Sequence, residues 1–134
     1  MLFMLAFIAV VTVSAQKIEV QSITQIESTA AGGYYYPTFS PTGEYLLTTS
    51  ENYTGFQQYD LNAKAFKVIN QDAGAGYKPQ ISEDGTTILY RKTSFVENKR
   101  MNALQSYSLI TTKQQQVIAP TREQITPHLF LNTK

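Results

Sequence analysis

The residues of this sequence best suited to chemistry are few, and their spacing argues against catalysis. His128 is the one histidine and there is no cysteine, which disfavours a histidine metal cluster, thiolate chemistry and a Ser–His relay. Glu83-Asp84 stands directly before Gly85, a pattern typical of a turn rather than of a cation site. Gly74-Ala75-Gly76 lacks the third glycine of a dinucleotide loop, and no Gly-x-Ser-x-Gly nucleophile elbow occurs. We therefore expect no catalytic residue, no cofactor and no metal ligand.

Two other clusters are candidates for contact with a ligand or a partner. Three consecutive tyrosines can stack on a sugar or a peptide, although aromatic side chains at these positions also suit packing between sheets. A charged cluster near residue 98 can touch a partner or form a solvated loop tip. The candidate residues are Tyr34, Tyr35, Tyr36, Glu97, Lys99 and Arg100.

An internal repeat predicts the elements that position these residues. Pro37 recurs as Pro79 and Gly43 recurs as Gly85, a period of 42 residues. Periods of roughly 40 to 45 residues are typical of propeller blades. In each copy a turn signal, Pro-Thr-Gly or Glu-Asp-Gly, separates two apolar runs, and such a signal between β runs favours a hairpin.

The second half of each unit repeats with small insertions. Phe56–Leu61 matches Leu104–Leu109, and Phe66–Ile69 matches Gln115–Ile118. We assign the additional residues to a loop between Ser94 and Asn102, because loops tolerate insertions at little cost. The prediction is an all-β fold of about two four-stranded antiparallel propeller blades, an incomplete propeller.

These units carry a family resemblance. Pro37-Thr38-Phe39-Ser40-Pro41-Thr42-Gly43 and Pro79-Gln80-Ile81-Ser82-Glu83-Asp84-Gly85 resemble the TolB-type, WD-repeat-like β-propeller repeat, whose pattern is roughly Pro-x-Phe-Ser-Pro-Asp-Gly. The resemblance covers about residues 34 to 119, and the glycine that usually follows the third strand of the family's repeat is absent from both copies. It implies a periplasmic or secreted protein-binding scaffold, with no catalytic residues in the repeat itself.

The composition and the flanking segments complete the expected organisation. Residues 1–15 are predicted to be a helical signal peptide, because an apolar run from Met1 to Val13 leads into the small-residue exit Val13-Ser14-Ala15. A buried strand or an uncleaved anchor are the alternatives. The run is shorter than the roughly 18 to 20 residues that span a bilayer, so we expect no stable membrane span after cleavage. The net charge of +1 offers no electrostatic argument for nucleic acid. The further segments are 16–33, a lead-in strand or linker; 34–77 and 78–125, two blades; and 126–134, the start of a third blade.

The predicted function is that of an exported, non-enzymatic module for protein binding or scaffolding in the bacterial cell envelope. The alternatives are the propeller domain of a larger secreted serine peptidase, and a glycan-binding propeller. Closed propellers have typically four to eight blades. We therefore expect either that a longer chain continues this propeller or that copies of the chain complete it as an oligomer.

Overall fold

The computed structural model describes residues 19–20, 22–23, 25–26 and 33–128. Those residues form eight strands and one short 3-10 helix, Glu51–Tyr53. The strands are β1 Tyr35–Phe39, β2 Tyr45–Thr49, β3 Phe56–Asp60, β4 Ala65–Asn70, β5 Gln80–Ile81, β6 Thr87–Val96, β7 Lys99–Ser108 and β8 Lys113–Thr121. The expected signal peptide, most of the lead-in and the end of the expected third blade lie outside the described residues. Within the described ranges, no helix has the length and hydropathy needed to cross a membrane.

The strands form two four-stranded antiparallel sheets. Their orders are β1-β2-β3-β4 and β5-β6-β7-β8, so each sheet is a meander in which every strand pairs with its neighbours along the chain. This is the strand order of a propeller blade, and it confirms the predicted all-β fold with two four-stranded units.

The sequence repeat corresponds to a repeat of backbone hydrogen bonds. In each sheet the first hairpin turn begins at a serine, Ser40 or Ser82, whose N–H donates to the carbonyl five residues further on at 2.9 Å. The glycine N–H, at Gly43 or Gly85, donates back to that serine carbonyl at 2.9 and 2.8 Å. Both glycines have φ of +72°, a conformation that side chains disfavour, which explains why both copies of the turn carry glycine.

The insertion in the second unit lengthens a hairpin, so the expected loop between Ser94 and Asn102 is wrong. The β6–β7 pairing runs unbroken from Thr87 opposite Ser108 to Val96 opposite Lys99. Only Glu97 and Asn98 form the turn, and both have positive φ. Positive φ at both residues gives a two-residue turn the same twist as the strands that flank it. Residues added to both arms of a hairpin keep their backbone N–H and C=O groups hydrogen-bonded. The insertion is therefore accommodated without leaving unpaired backbone groups.

The hydrophobic core lies between the two sheets. The Phe56 ring meets the Tyr90 ring edge-on, with centroids 5.1 Å apart. The buried hydroxyl of Tyr45 donates across the sheets to the Gly85 carbonyl at 2.8 Å. Burial, followed by the charges of nearby acidic residues, raises the pKa of Tyr45 to about 12, so this phenol stays protonated. The buried cluster consists of Tyr45, Leu47, Phe56, Ala75, Ile88 and Tyr90.

Asp72, in the linker between β4 and β5, joins the sheets through its carboxylate. One oxygen pairs with the Lys92 ammonium at 2.9 Å. The other accepts from Asn70 at 3.1 Å, Tyr90 at 3.2 Å and Gln114 at 3.3 Å. Burial alone would raise the pKa of Asp72, but the hydrogen bonds from Lys92, Asn70 and Tyr90 together lower it. The carboxylate is therefore held charged at the junction of the two sheets.

Candidate functional site

A cleft with aromatic walls opens between β1 and the segment that enters β5. Its volume is about 350 Å³, within the size range of ligand pockets. We call it the tyrosine cleft. Its wall includes Tyr36, Thr38, Tyr53, Tyr77, Lys78 and Gln80.

Three tyrosine rings in this cleft contact one another in sequence. Tyr36 and Tyr53 are stacked, with centroids 5.1 Å apart and planes at 19°. Tyr53 meets Tyr77 edge-on at 5.2 Å and 87°. The Tyr53 hydroxyl donates to the Tyr36 hydroxyl at 3.0 Å, and this hydrogen bond is the main reason that the pKa of Tyr53 is raised. Tyr36 keeps 62% of its surface exposed, so a hydrophobic surface remains open to a ligand.

Backbone contacts between two loops hold the rings in place. The Gly76 N–H donates to the Tyr53 carbonyl at 3.0 Å, and the Gly55 N–H donates to the Asp72 carbonyl at 2.9 Å. The 3-10 helix and the β4–β5 linker are thereby docked against each other. A side chain at position 76 would collide with Thr49 and would lie 2.8 Å from the Gly55 carbonyl oxygen, so only glycine fits.

The three consecutive tyrosines proposed as contacts point to different surroundings. Tyr34 stacks on Phe66 with centroids 4.3 Å apart and planes at 4°. Tyr35 lies opposite Thr49 in the β1–β2 pairing, and the register is irregular between Tyr35 and Thr38. Tyr36 has φ of +50° within this irregularity, and it alone of the three lines the tyrosine cleft.

The charged candidates are also separated. Glu97 and Lys99 lie exposed at and beside the β6–β7 turn. Arg100 lines a second cavity, of about 250 Å³, together with Arg91, Asn102, Arg122 and Gln124. We call this the arginine cavity.

The remaining candidates behave as side chains of turns or of the surface. Asp84 accepts hydrogen bonds from the Thr86 N–H at 3.0 Å and hydroxyl at 2.9 Å, and from the Ser82 hydroxyl, all within the turn. The Ser82 hydrogen bond, followed by those from Thr86, lowers the pKa of Asp84. His128 is exposed. The described part of the chain contains no group of three or more His, Cys, Asp or Glu side chains placed to share a metal ion.

Sequence reasoning missed Tyr53, Tyr77, Arg91 and Arg122 as members of these sites. A partial signal existed for Tyr77, because the 42-residue period aligns it with Tyr35, one of the candidate tyrosines. The arginines are far apart in the sequence, and no motif connects them.

The structure is a module of two propeller-type blades with an aromatic cleft beside β1 and the segment that enters β5. No protein-family model and no curated protein matches the chain. Among solved structures, the chain is similar to the crystal structure of TolB from Acinetobacter baumannii, with 20% identity and a TM-score of 0.48. The match covers 63% of this chain and 21% of that TolB chain, so this chain spans about a fifth of its length. The two meanders define the fold independently of this similarity.

Proposed function

We propose that this chain is an exported, non-enzymatic β-propeller module that binds a protein partner in the bacterial cell envelope through the tyrosine cleft. The observation that supports it best is the chain of ring contacts Tyr36–Tyr53–Tyr77 on an open cleft. Tyrosine is enriched at protein interfaces because it offers a large, rigid contact area with a polar tip. Rings that are already held by their neighbours lose little further entropy on binding.

The cleft favours recognition by side chains. Its walls include residues of β1 and β5, which are both edge strands. Pro37 in β1 and Pro79 directly before β5 lack an N–H, which removes a donor that a partner strand would need along these edges. The Lys78 ammonium lies 5.7 Å from the Tyr77 ring centroid and adds a positive charge. The partner segment therefore offers an apolar or proline side chain to the rings and a carboxylate to Lys78.

Peptide display on the purified chain tests this proposal. Peptides selected for binding are measured against Tyr53→Ala and against Tyr35→Ala, a matched control outside the cleft. A tyrosine that anchors an interface contributes about 2 kcal/mol or more, so Tyr53→Ala should weaken binding by about 30-fold or more. Tyr35→Ala should change it by less than about threefold. Equal losses in the two variants would refute the assignment of the cleft.

The glycan alternative is tested in the same way. This alternative requires Tyr34, Tyr35 and Tyr36 to form one stacking surface, whereas the Tyr34 ring is already stacked on Phe66. Retention of glycan fragments that is lost in Tyr36→Ala would favour the glycan instead. The peptidase alternative concerns a domain outside this sequence and stays a prediction.

We also propose that further blades cover the outer faces of the two sheets. Large apolar side chains are exposed on both sheets, and such surfaces are normally covered by a neighbour. They include Phe39 and Val68 on the first sheet, and Ile118 on the second. A continuing chain is the favoured source of the blades, and further copies of this chain are the alternative. The mass and the N-terminal residue of the protein isolated from the envelope distinguish these sources and test cleavage before Gln16.

A further inference from the structure

All three arginines of the sequence line one cavity. Arg91 lies on β6, Arg100 on β7 and Arg122 directly after β8, so three separate strands bring them together. No lysine among the residues that the structure describes lines this cavity. Arginine presents a planar set of donors that matches the oxygens of carboxylates and phosphates, whereas lysine offers a single point of charge.

Arg91 is the unusual member of the set. Only 6% of its surface is exposed, and its buried Nε has no hydrogen-bond partner among the described residues. The guanidinium lies 4.6 Å from the centroid of the Tyr77 ring. Burial, followed by repulsion from Arg100, lowers the pKa of Arg91, against a smaller opposing effect of Tyr77. No carboxylate in the described ranges pairs with any of the three arginines. A buried cation without a counter-charge is costly unless a ligand supplies one.

The rest of the cavity is built around a fixed amide. The Asn102 Nδ2 donates to the Glu123 carbonyl at 2.9 Å, and its Oδ1 accepts from the Thr93 hydroxyl at 3.2 Å. Asn102 therefore ties the segment after β8 to the sheet, and this segment carries Arg122 and Gln124 to the rim. The cavity of about 250 Å³ is several times larger than the roughly 30 Å³ of one water, which leaves room for a small anion with part of its hydration shell.

We propose that the arginine cavity binds a small, multiply charged oxoanion of the phosphate or polycarboxylate class. The three guanidinium groups supply the charge and the paired donors, and the Gln124 amide supplies a neutral donor at the rim. The arginine cavity and the tyrosine cleft have no lining residue in common, although the Arg91 guanidinium contacts the Tyr77 ring of the cleft. Arg122 lines only the arginine cavity and Tyr53 only the tyrosine cleft, so Arg122→Gln and Tyr53→Ala test the two proposals separately.

Calorimetric titration of the purified chain with inorganic phosphate, citrate and acetate at low ionic strength tests the proposal. Phosphate and citrate should bind, and acetate should bind at least about tenfold more weakly, because one negative charge cannot balance three arginines. Arg122→Gln should weaken phosphate binding by about tenfold or more, since it removes charge-assisted hydrogen bonds. Lys99→Gln removes the same charge from an exposed site beside Arg100 and should change binding less than about threefold.

Arg91→Gln extends the test to the buried member and should weaken phosphate binding at least as much as Arg122→Gln. If Arg91→Gln does not fold, Arg122→Gln and Arg100→Gln decide the question, because both residues are exposed. The proposal is overturned if phosphate and citrate do not bind, if acetate binds as tightly as they do, or if Lys99→Gln weakens binding as much as Arg122→Gln.

Discussion

Replacing Asp72 with alanine removes the carboxylate that joins the two sheets. The ion pair with Lys92 is partly exposed, at 39% for the lysine and 21% for Asp72, so it contributes only about 0.2 to 1 kcal/mol. The hydrogen bonds from Asn70 and Tyr90 are shielded and contribute about 1 kcal/mol each. The contact with Gln114 is longer and exposed, so it contributes little. Asp72→Ala should therefore lower the free energy of unfolding by about 2 to 3 kcal/mol.

The assay is urea unfolding of the wild type, Asp72→Ala, Tyr90→Phe and the double variant. Tyr90→Phe keeps the buried ring and removes only the hydroxyl that donates to Asp72. The two losses should be less than additive, with a coupling energy of about 1 kcal/mol. A loss below about 0.5 kcal/mol in Asp72→Ala, or strict additivity in the double variant, would refute the role of this carboxylate as the joint.

The lowered pKa of Asp72 also predicts a dependence on pH. A carboxyl whose folded-state pKa lies below the unfolded value of 3.8 stabilises the fold above that value, and the stabilisation is lost as the pH falls through the folded pKa. The stability difference between the wild type and Asp72→Asn should therefore be present at pH 7 and should shrink as the pH falls below about 4. Asp84, whose pKa is also lowered, is common to both proteins and cancels in the comparison. A difference that is equally large at pH 7 and pH 2.5 would contradict this reasoning.

Two further predictions concern backbone positions. Gly76→Ala should lower the free energy of unfolding by about 2 kcal/mol or more, because the new Cβ collides with Thr49. Gly43→Ala should lower it by only about 1 kcal/mol, because Gly43 has φ of +72° but open space around it. Urea unfolding distinguishes the two, and equal losses would argue against the close docking of the linker. Thr112 has φ of +54°, so Thr112→Gly should raise the melting temperature or leave it unchanged, while Thr111→Gly should lower it. Thermal unfolding checks this pair, and a lower melting temperature in Thr112→Gly would contradict it.

The strands could be predicted from the sequence because their signals are local. Gly43 and Gly85 mark turns whose hydrogen bonds close within a few residues, so the repeat of the motif implies the repeat of the structure. Both copies lack the glycine that usually follows the third strand of the family's repeat, and the structure forms these turns without it. Lys64 and Thr112 follow β3 and β7 in positive φ, so the turns form there with side chains that disfavour that conformation.

The sites could not be predicted because their contacts are not local. Tyr53 and Tyr77 meet only because Gly76 docks against the 3-10 helix, a contact that no short motif specifies. The β6–β7 insertion has the polar composition of a loop, but both of its arms lengthen together and so remain paired. Arg91 has the sequence position of an ordinary strand residue, and only the packing of the linker and of the segment after β8 reveals its burial.

Site-specific photo-crosslinking in cells that produce the protein tests the central claim most directly. The crosslinking residue replaces Thr38, which lines the tyrosine cleft, or Lys113, which is exposed at the start of β8 and serves as the control. We predict that the Thr38 position captures one envelope protein of defined mass, that the Lys113 position does not, and that adding Tyr53→Ala abolishes the product. No product at the Thr38 position, or the same product at both positions, would contradict partner binding in the tyrosine cleft.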